Sequence, residues 1–369
     1  LRDVLRSDDT IARLGGDEFA VILPEVQRAE DAGSVARKLI AALRQPAQVD
    51  GHELHVTGSI GISMYPTDGE DVVTLIKHAD AALYRSKELG RNTVQLFAST
   101  MNRRYTERLE LELSLHHAID RGEFTLVYQP LCDRRTRSIR SFEALIRWNR
   151  PGYGMVNPVD FIELAEETRL ILPIGDWVMR TACAQLREWR AQGIDGFAIG
   201  VNLSAHQIAQ PQFIHSVHDT LVMNGLQPED LELEITESAA LQNLEWTLSV
   251  LDQLRSLGVS IAVDDFGTGQ SSLVYLKRFP ITTLKIDREF LRDVQREAGD
   301  AAIFRSIVQL GHSLGLYVIA EGIETHADRE LVEEQECDGM QGYHFSRPLA
   351  AEDVPGWVRA FNYPAAVVA

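Results

Sequence analysis

The chain has 369 residues, 45% of them hydrophobic, and its 36 Lys and Arg against 54 Asp and Glu leave a formal charge of −18. That length and apolar content suit two or three globular domains at roughly 150 residues each and exclude a disordered chain, a collagen-like chain and a small disulfide scaffold. The acidic balance argues against a DNA or RNA binder, which needs a basic face, but leaves room for an anionic ligand held through metal ions.

In chain order, residues 19–23 read as a short apolar strand. Residues 30–43 carry Ala32, Val35, Ala36, Leu39, Ile40 and Leu43 at helical spacing. Residues 54–63 alternate as a second strand. Residues 71–89 form a helix with Leu75, Ile76, Ala79, Ala82 and Leu83 inward, stopped at Gly90. Residues 99–121 read as one connecting helix, with Tyr105, Leu109 and Leu113 four residues apart and Gly122 as its stop. The reading divides the chain into 1–98, the connecting helix 99–121, and 122–369.

From residue 123 onward, strand-like apolar runs recur at 124–129, 139–146, 196–203, 231–235, 259–263, 283–286, 316–320 and 339–345. Helical stretches such as 159–167, 176–192, 246–257 and 302–314 separate most of them. Eight strands alternating with helices over about 240 residues predict an α/β fold of the βα-barrel type.

No apolar run approaches the ~18–20 residues that span a bilayer; the best, 170–178, contains Pro173 and Asp176. The N-terminus is not a signal peptide, and without an initiating Met the chain is expected to be a piece of a longer protein. Upstream segments of such a parent could tether it to a membrane. Cys132, Cys183 and Cys337 are far apart and form no CxxC, so reduced core thiols in a cytoplasmic protein are expected.

Barrel enzymes place their chemistry at the C-terminal ends of the strands. Polar residues gather there in this sequence: Glu143, Asn202, Glu234, Asp264 with Asp265, Lys285 and Glu321. A lone acid at a strand end is usually a helix cap or a surface charge. Five acids at one mouth repel one another unless cations neutralise them. Carboxylates with an Asn carbonyl suit Mg²⁺ or Mn²⁺, and no HExxH or other zinc spacing appears. Two divalent ions about 3.5–4 Å apart are a standard device for phosphoester hydrolysis. The residues alone therefore point to metal-dependent phosphoester cleavage without giving the substrate.

Residues 106–360 resemble the EAL-domain family of cyclic di-GMP phosphodiesterases. The motifs run in order: Tyr128-Gln129-Pro130, Glu143-Ala144-Leu145-Ile146-Arg147-Trp148, Asn202-Leu203-Ser204, Glu234-Ile235-Thr236-Glu237, Asp264-Asp265-Phe266-Gly267-Thr268-Gly269, Leu284-Lys285-Ile286-Asp287, Ala320-Glu321-Gly322-Ile323-Glu324, Gln341-Gly342-Tyr343 and Ser346-Arg347-Pro348. The resemblance implies a TIM-like barrel whose first strand is antiparallel to the rest. It also implies hydrolysis of cyclic di-GMP to linear pGpG with two Mg²⁺ or Mn²⁺ ions. Glu143, Asn202, Glu234 and Asp264 match the family's primary metal ligands, and Asp265 matches a residue serving the second metal and its water. Lys285 matches the lysine that holds the attacking water and phosphate, and Glu321 the general base or water orienter. Gln129, Arg147 and Gln341 match substrate or water-network positions. Glu237 matches the glutamate that anchors the Asp-Asp-Phe-Gly loop. Gln270 departs from the family pattern, which has an aromatic there in a loop linked to dimerisation, so regulation is affected more than chemistry.

Residues 1–98 resemble the second half of a GGDEF, or diguanylate cyclase, domain. Gly15-Gly16-Asp17-Glu18-Phe19 is its signature hairpin, and Ala81-Ala82-Leu83-Tyr84, Lys87 and Gly90-Arg91-Asn92 match its C-terminal helix. Arg6 and Asp9 have the spacing of its inhibitory site, which would bind cyclic di-GMP. The family's first strand and helix are absent, so this half is expected to be inactive as a cyclase and to expose a sheet edge; a parent with the missing half could be a cyclase or use the domain as a GTP or cyclic di-GMP sensor. A homodimer through the EAL domain is also implied. The rival readings are a non-catalytic cyclic di-GMP receptor and a bifunctional cyclase–phosphodiesterase parent. An intact set of metal and lysine positions favours the enzyme over the receptor.

Overall fold

The computed structural model describes residues 1–26, 28–49, 52–54, 56–267, 276–292 and 298–362. Thr268, Gly269 and Gln270 lie outside the described residues. The chain divides into two compact units, Leu1–Leu113 and Ser114–Ala369.

In the N-terminal unit, β1 (Thr10–Gly15) and β2 (Glu18–Ile22) form an antiparallel hairpin. Gly16 takes φ +50° at its tip, where a side chain would be strained, and its carbonyl accepts the Arg13 guanidinium at 2.6 and 2.9 Å. Helix α1 (Ala29–Leu43) buries Ala32, Ala36, Leu39 and Ile40. Two short strands follow, β3 (Ala47–Val49) and β4 (His52–Leu54), paired antiparallel. Strand β5 (Ile60–Ile62) then runs parallel to β6 (Val94–Leu96). The continuous strand expected at 54–63 is thus two separate pieces. Gly58 lies between them against Leu43, and Leu54 and Val56 are about half exposed, so the alternating pattern finds no sheet to cover it.

Helix α2 (Val72–Glu88) is capped by Asp71, which accepts the Thr74 N–H at 2.9 Å. Gly61 lets β5 lie directly on α2, where a Cβ would strike the backbone of Ala79 and Leu83. Leu14, Phe19 and Ile22 on the hairpin remain 50–64% exposed.

Helix α3 (Ser99–Ala118) ends the first unit and begins the second. The barrel comprises β7 (Phe124–Asp133), β8 (Ser138–Arg150), β10 (Ala198–Leu203), β11 (Leu231–Thr236), β12 (Ser260–Phe266), β13 (Thr283–Ile286), β14 (Tyr317–Ala320) and β15 (Gly339–Gln341). A short β9 (Gly154–Val156) folds back on the end of β8. Strand β7 pairs antiparallel with β8 and β15 and so closes the ring; all other neighbours around it are parallel. The antiparallel first strand implied by the resemblance is therefore present.

Helices α4 (Pro158–Glu167) and α5 (Ile171–Ala191) cover the first part of the barrel. Pro173 falls in the first turn of α5, where its missing N–H has no helical partner to lose. The helix therefore begins before the expected residue 176. The apolar layer between strands and helices holds Phe142, Trp148, Phe161 and Trp189, all fully buried. The three cysteines are buried and free, and burial pushes the Cys132 and Cys183 thiols up to about 12. Among the described residues, no helix is long and apolar enough to cross a membrane.

Candidate active site

Side chains alternate along each strand between the barrel interior and the helix layer. Phe142, Ala144 and Trp148 therefore pack outward from β8, which turns Glu143 and Arg147 inward. The same alternation sends Asn202, Glu234, Asp264 and Lys285 into the interior from β10 to β13. The pairings Gly200–Glu143, Asn202–Glu234 and Thr236–Asp264 bring these groups to one mouth. Gly200 is needed beside them, because a Cβ there would collide with Glu234 Oε1.

Lys285 is the hub. It is 0% exposed, and its Nζ contacts Glu234, lies 2.7 Å from Glu321 Oε1, 3.4 Å from Glu143 Oε2 and 3.5 Å from Asp264 Oδ2. Glu143 is held further by Asn202 Nδ2, donating at 2.8 Å, and by Gln341 Nε2, donating at 2.7 Å.

Charge follows from this layout. Burial opposes the Lys285 charge, but Asp264, Glu143, Glu234 and Glu321 together hold its pKa well above the usual lysine range. Burial also pushes Glu143 up, yet Lys285 and the amide donors of Gln341 and Asn202 bring its net pKa below the usual value. Glu234 shares Lys285 but is pushed well up by burial and by Glu143 and Asp264; among the described residues it has no amide donors to match those on Glu143. Burial likewise raises Asp264, moves Asp265 to about 6 and moves Glu321 to about 8. The mouth thus holds five carboxylates around one ammonium.

Asp265 owes its position to a local irregularity. Pairing with β13 runs from Val263–Leu284 to Phe266–Ile286, so β12 carries one extra residue and bulges. Asp265 sits in that bulge at φ +52°, a strained setting for a residue with a Cβ. Simple alternation would have turned Asp265 away from Asp264. Instead, carboxylate oxygens of Asp264, Asp265 and Glu321 lie within 4.8 Å of one another, as do those of Glu143, Glu234 and Asp264. This buried acidic cluster can hold a metal ion. Gln341 Oε1 fits the same purpose: it is a buried acceptor without a hydrogen-bond donor, suited to a cation's water shell.

Glu237, the first residue of a short helix (Glu237–Leu241), is buried and accepts the Gly267 N–H at 3.4 Å. Gln129 Nε2 reaches the Ser346 carbonyl at 3.5 Å, and its Oε1 lies 3.5 Å from Gln341 Nε2. Arg147 donates to the Ile146 carbonyl at 2.8 Å; burial lowers its pKa, against the pull of Tyr343 and Glu143. Tyr343, which the sequence places in a motif without a role, is half exposed and lies near Arg147. A cavity of about 320 Å³ opens at the other end of the barrel, lined by Ser141, Ala198, Glu232 and Ser260 at the strand starts, away from the cluster.

Arg6 and Asp9 lie in the other unit, in a turn where Asp9 Oδ2 accepts the Arg6 backbone N–H at 2.8 Å. Gly15, Gly16, Asp17, Glu18 and Phe19 form the β1–β2 hairpin, with Phe19 half exposed.

Comparison with known proteins agrees with this geometry. The EAL domain family model matches residues 112–348, and the diguanylate cyclase GGDEF domain model matches residues 1–93. The chain is 44% identical over 354 residues to the bifunctional diguanylate cyclase/cyclic di-GMP phosphodiesterase MucR of Pseudomonas aeruginosa, covering 96% of this chain and 52% of MucR. It is 35% identical over 368 residues to the cyclic di-GMP phosphodiesterase PdeR of Escherichia coli, covering 98% of this chain and 55% of PdeR. The chain therefore spans about half the length of these curated relatives. Among solved structures, the PaMucR phosphodiesterase in complex with c-di-GMP superposes with a TM-score of 0.64 at 42% identity, covering 66% of this chain and 99% of that one. The motif order, the closed barrel with its antiparallel first strand and the match over residues 112–348 agree: this chain belongs to the EAL domain family.

Proposed function

We propose that this chain hydrolyses cyclic di-GMP to linear pGpG. The observation that carries the reading is the ring of five carboxylates around buried Lys285 at the C-terminal mouth of the barrel. The relatives' names, cyclic di-GMP phosphodiesterases among them, supply the substrate.

Glu143, Asn202, Glu234 and Asp264 would hold one divalent cation, and Asp264 with Asp265 a second. Their all-oxygen donor set suits Mg²⁺ or Mn²⁺. Such ions, when bound, screen the phosphate charge and lower the pKa of water. Glu321, hydrogen-bonded to Lys285, takes the proton of the attacking water. Lys285 orients that carboxylate and balances the charge that builds on the phosphate. Arg147, Gln129 and Gln341 line the mouth and bind the substrate. The water attacks phosphorus in line, the P–O3′ bond breaks, and the ribose 3′-oxygen leaves with a proton taken from solvent, to which Glu321 returns the proton it took.

The test is incubation of the chain with cyclic di-GMP and Mg²⁺ or Mn²⁺, following pGpG by chromatography with EDTA as control. Metal-dependent pGpG is expected; tight binding without product would favour a receptor instead. Asp265→Asn and Glu321→Ala should lower turnover while largely sparing substrate binding, and full activity in both would refute their roles.

The N-terminal unit is read as regulatory rather than as a cyclase, with Arg6 and Asp9 as its site for GTP or cyclic di-GMP. The chain is also read as a homodimer. Leu109 and Leu113 on α3 are 41% and 69% exposed, and a second α3 would cover them. A monomer by ultracentrifugation at high concentration would count against that.

A further inference from the structure

We propose that Glu123, which no motif singles out, is a positioning residue for Arg147. Its buried carboxylate holds the neighbouring Trp148 and thereby fixes the half of β8 that presents Arg147 to substrate. The proposal rests on the phosphodiesterase reading and adds a specificity-bearing contact to it.

Glu123 lies between α3 and β7 and is 6% exposed. Its Oε2 accepts the Trp148 indole Nε1–H at 2.9 Å. Its carbonyl accepts the Asn149 N–H at 2.9 Å, and its own N–H donates to the Ala118 carbonyl at 3.0 Å. One residue thus joins the end of α3 to both residues that follow Arg147. A second tether runs in parallel, from Arg150 Nε to Ser114 Oγ at 3.1 Å.

Trp148 is fully buried, edge-on to Phe161 with ring centroids 5.5 Å apart. Adjacent strand residues point to opposite faces, so fixing the indole outward fixes Arg147 inward. Among the described residues, the hydrogen bond given for the Arg147 guanidinium is to the Ile146 carbonyl of its own strand, with Glu143 and half-exposed Tyr343 as electrostatic neighbours. Its direction is therefore set from the backbone side, through Trp148.

Stability gives a poor account of this acid. Glu123 Oε1 is buried without a hydrogen-bond donor, and the nearest cation, Arg121, stands 3.8 Å away on a side chain that is 60% exposed. A half-satisfied buried carboxylate costs free energy that a neutral acceptor avoids. What the carboxylate supplies is a charge-assisted hydrogen bond to the indole, stiffer than a neutral one.

The experiment compares the full chain with Glu123→Leu, Glu123→Gln and Trp148→Phe, with Mn²⁺, on two substrates. In the proposed function cyclic di-GMP contacts Arg147, whereas bis(p-nitrophenyl) phosphate is small enough to need only the carboxylate and lysine centre. Glu123→Leu should raise KM for cyclic di-GMP about tenfold, the scale of one lost hydrogen bond to a charged group, with kcat within about twofold. Hydrolysis of the small diester should be unchanged. Glu123→Gln keeps a neutral acceptor for the indole without the charge and should bring KM part of the way back, between Glu123→Leu and wild type. Trp148→Phe removes the donor, keeps a ring in place, and should raise KM as Glu123→Leu does; it serves if the leucine variant does not fold.

A wild-type KM in Glu123→Leu or Trp148→Phe overturns the proposal. Equal loss on both substrates, or no rescue by glutamine, also overturns it, because either marks general damage. A wild type that makes no pGpG sinks the phosphodiesterase reading instead. The proposal is then decided by the Kd for cyclic di-GMP across the same variants, with the same tenfold pattern expected.

Discussion

Lys285 Nζ lies 2.7 Å from Glu321 Oε1 on the neighbouring strand's exit, inside a ring of acids that has no second ammonium among the described residues. This contact ties a fully buried cation to the carboxylate that burial has raised to about 8. The two groups share one charge balance, so changing either changes the other.

Lys285→Met should therefore destabilise the metal-free chain. Removing one partner of a buried ion pair costs about 3–5 kcal/mol, because the remaining charges lose their compensation. Calorimetry in EDTA should show the loss, and Mn²⁺ should recover much of it. Turnover of cyclic di-GMP should still fall at least about 100-fold with Mn²⁺ present, since the cation that balances the phosphate's charge in the proposed mechanism is gone. Wild-type turnover would remove Lys285 from the mechanism.

The pH dependence of stability follows from Glu321. Its folded pKa of about 8 lies above its ordinary value of 4.5. Between those values the folded state holds more proton than the unfolded one, so stability falls as pH rises through the window. Glu321→Gln lacks this loss. In EDTA, the Tm of Glu321→Gln minus that of wild type should grow from pH 5 to 8.5, and Mn²⁺ should shrink the gap. A gap independent of pH would contradict the raised pKa.

Gln341→Ala should make the metal requirement more pH-sensitive. Gln341 donates to Glu143 at 2.7 Å and, behind the pull of Lys285, helps hold its pKa below the usual range. Without that donor the Glu143 pKa rises, and protons compete better with the cation at low pH. The Mn²⁺ concentration for half-maximal activity should rise more at pH 6 than at pH 8.

Gly200→Ala probes the space behind the ring. The new methyl group would collide with Glu234 Oε1 and displace that carboxylate. Disturbing an oriented ligand or its support typically costs 10- to 100-fold, so metal affinity should fall by about that factor. Circular dichroism should stay unchanged, because a β-strand accepts alanine. Undiminished affinity would mean that Glu234 does not bind the metal in the position seen.

Much of the barrel was legible in the sequence because its signal is local. The apolar runs of β11 and β13 have one pattern, and Glu234 and Lys285 interrupt it at the positions that alternation turns inward. The N-terminal unit was less legible. Residues 54–63 alternate like a strand, but strand formation needs a neighbour; among the described residues Leu54 finds one in β3 and Ile60–Ile62 another in β6, with no continuous partner between. Glu123 was passed over for a related reason. An acid between Gly122 and Phe124 looks like a solvated turn until Trp148, 25 residues away, is seen to donate to it.

What the sequence determined by itself was the order of the motifs, the alternation that faces Glu143, Glu234 and Asp264 inward and the excess of negative charge the acids bring. These depend on residue type and on a two-residue period, which need no knowledge of distant partners. Tertiary structure alone decided that Lys285 lies against four carboxylates, from three strands and the exit of a fourth, and that Asp265 turns back toward Asp264 through a bulge at φ +52°. It also decided that Glu143 and Glu234, the same residue type beside the same lysine, are driven in opposite directions. Electrostatic energy depends on distance and burial, and both are set only when the ring of strands closes.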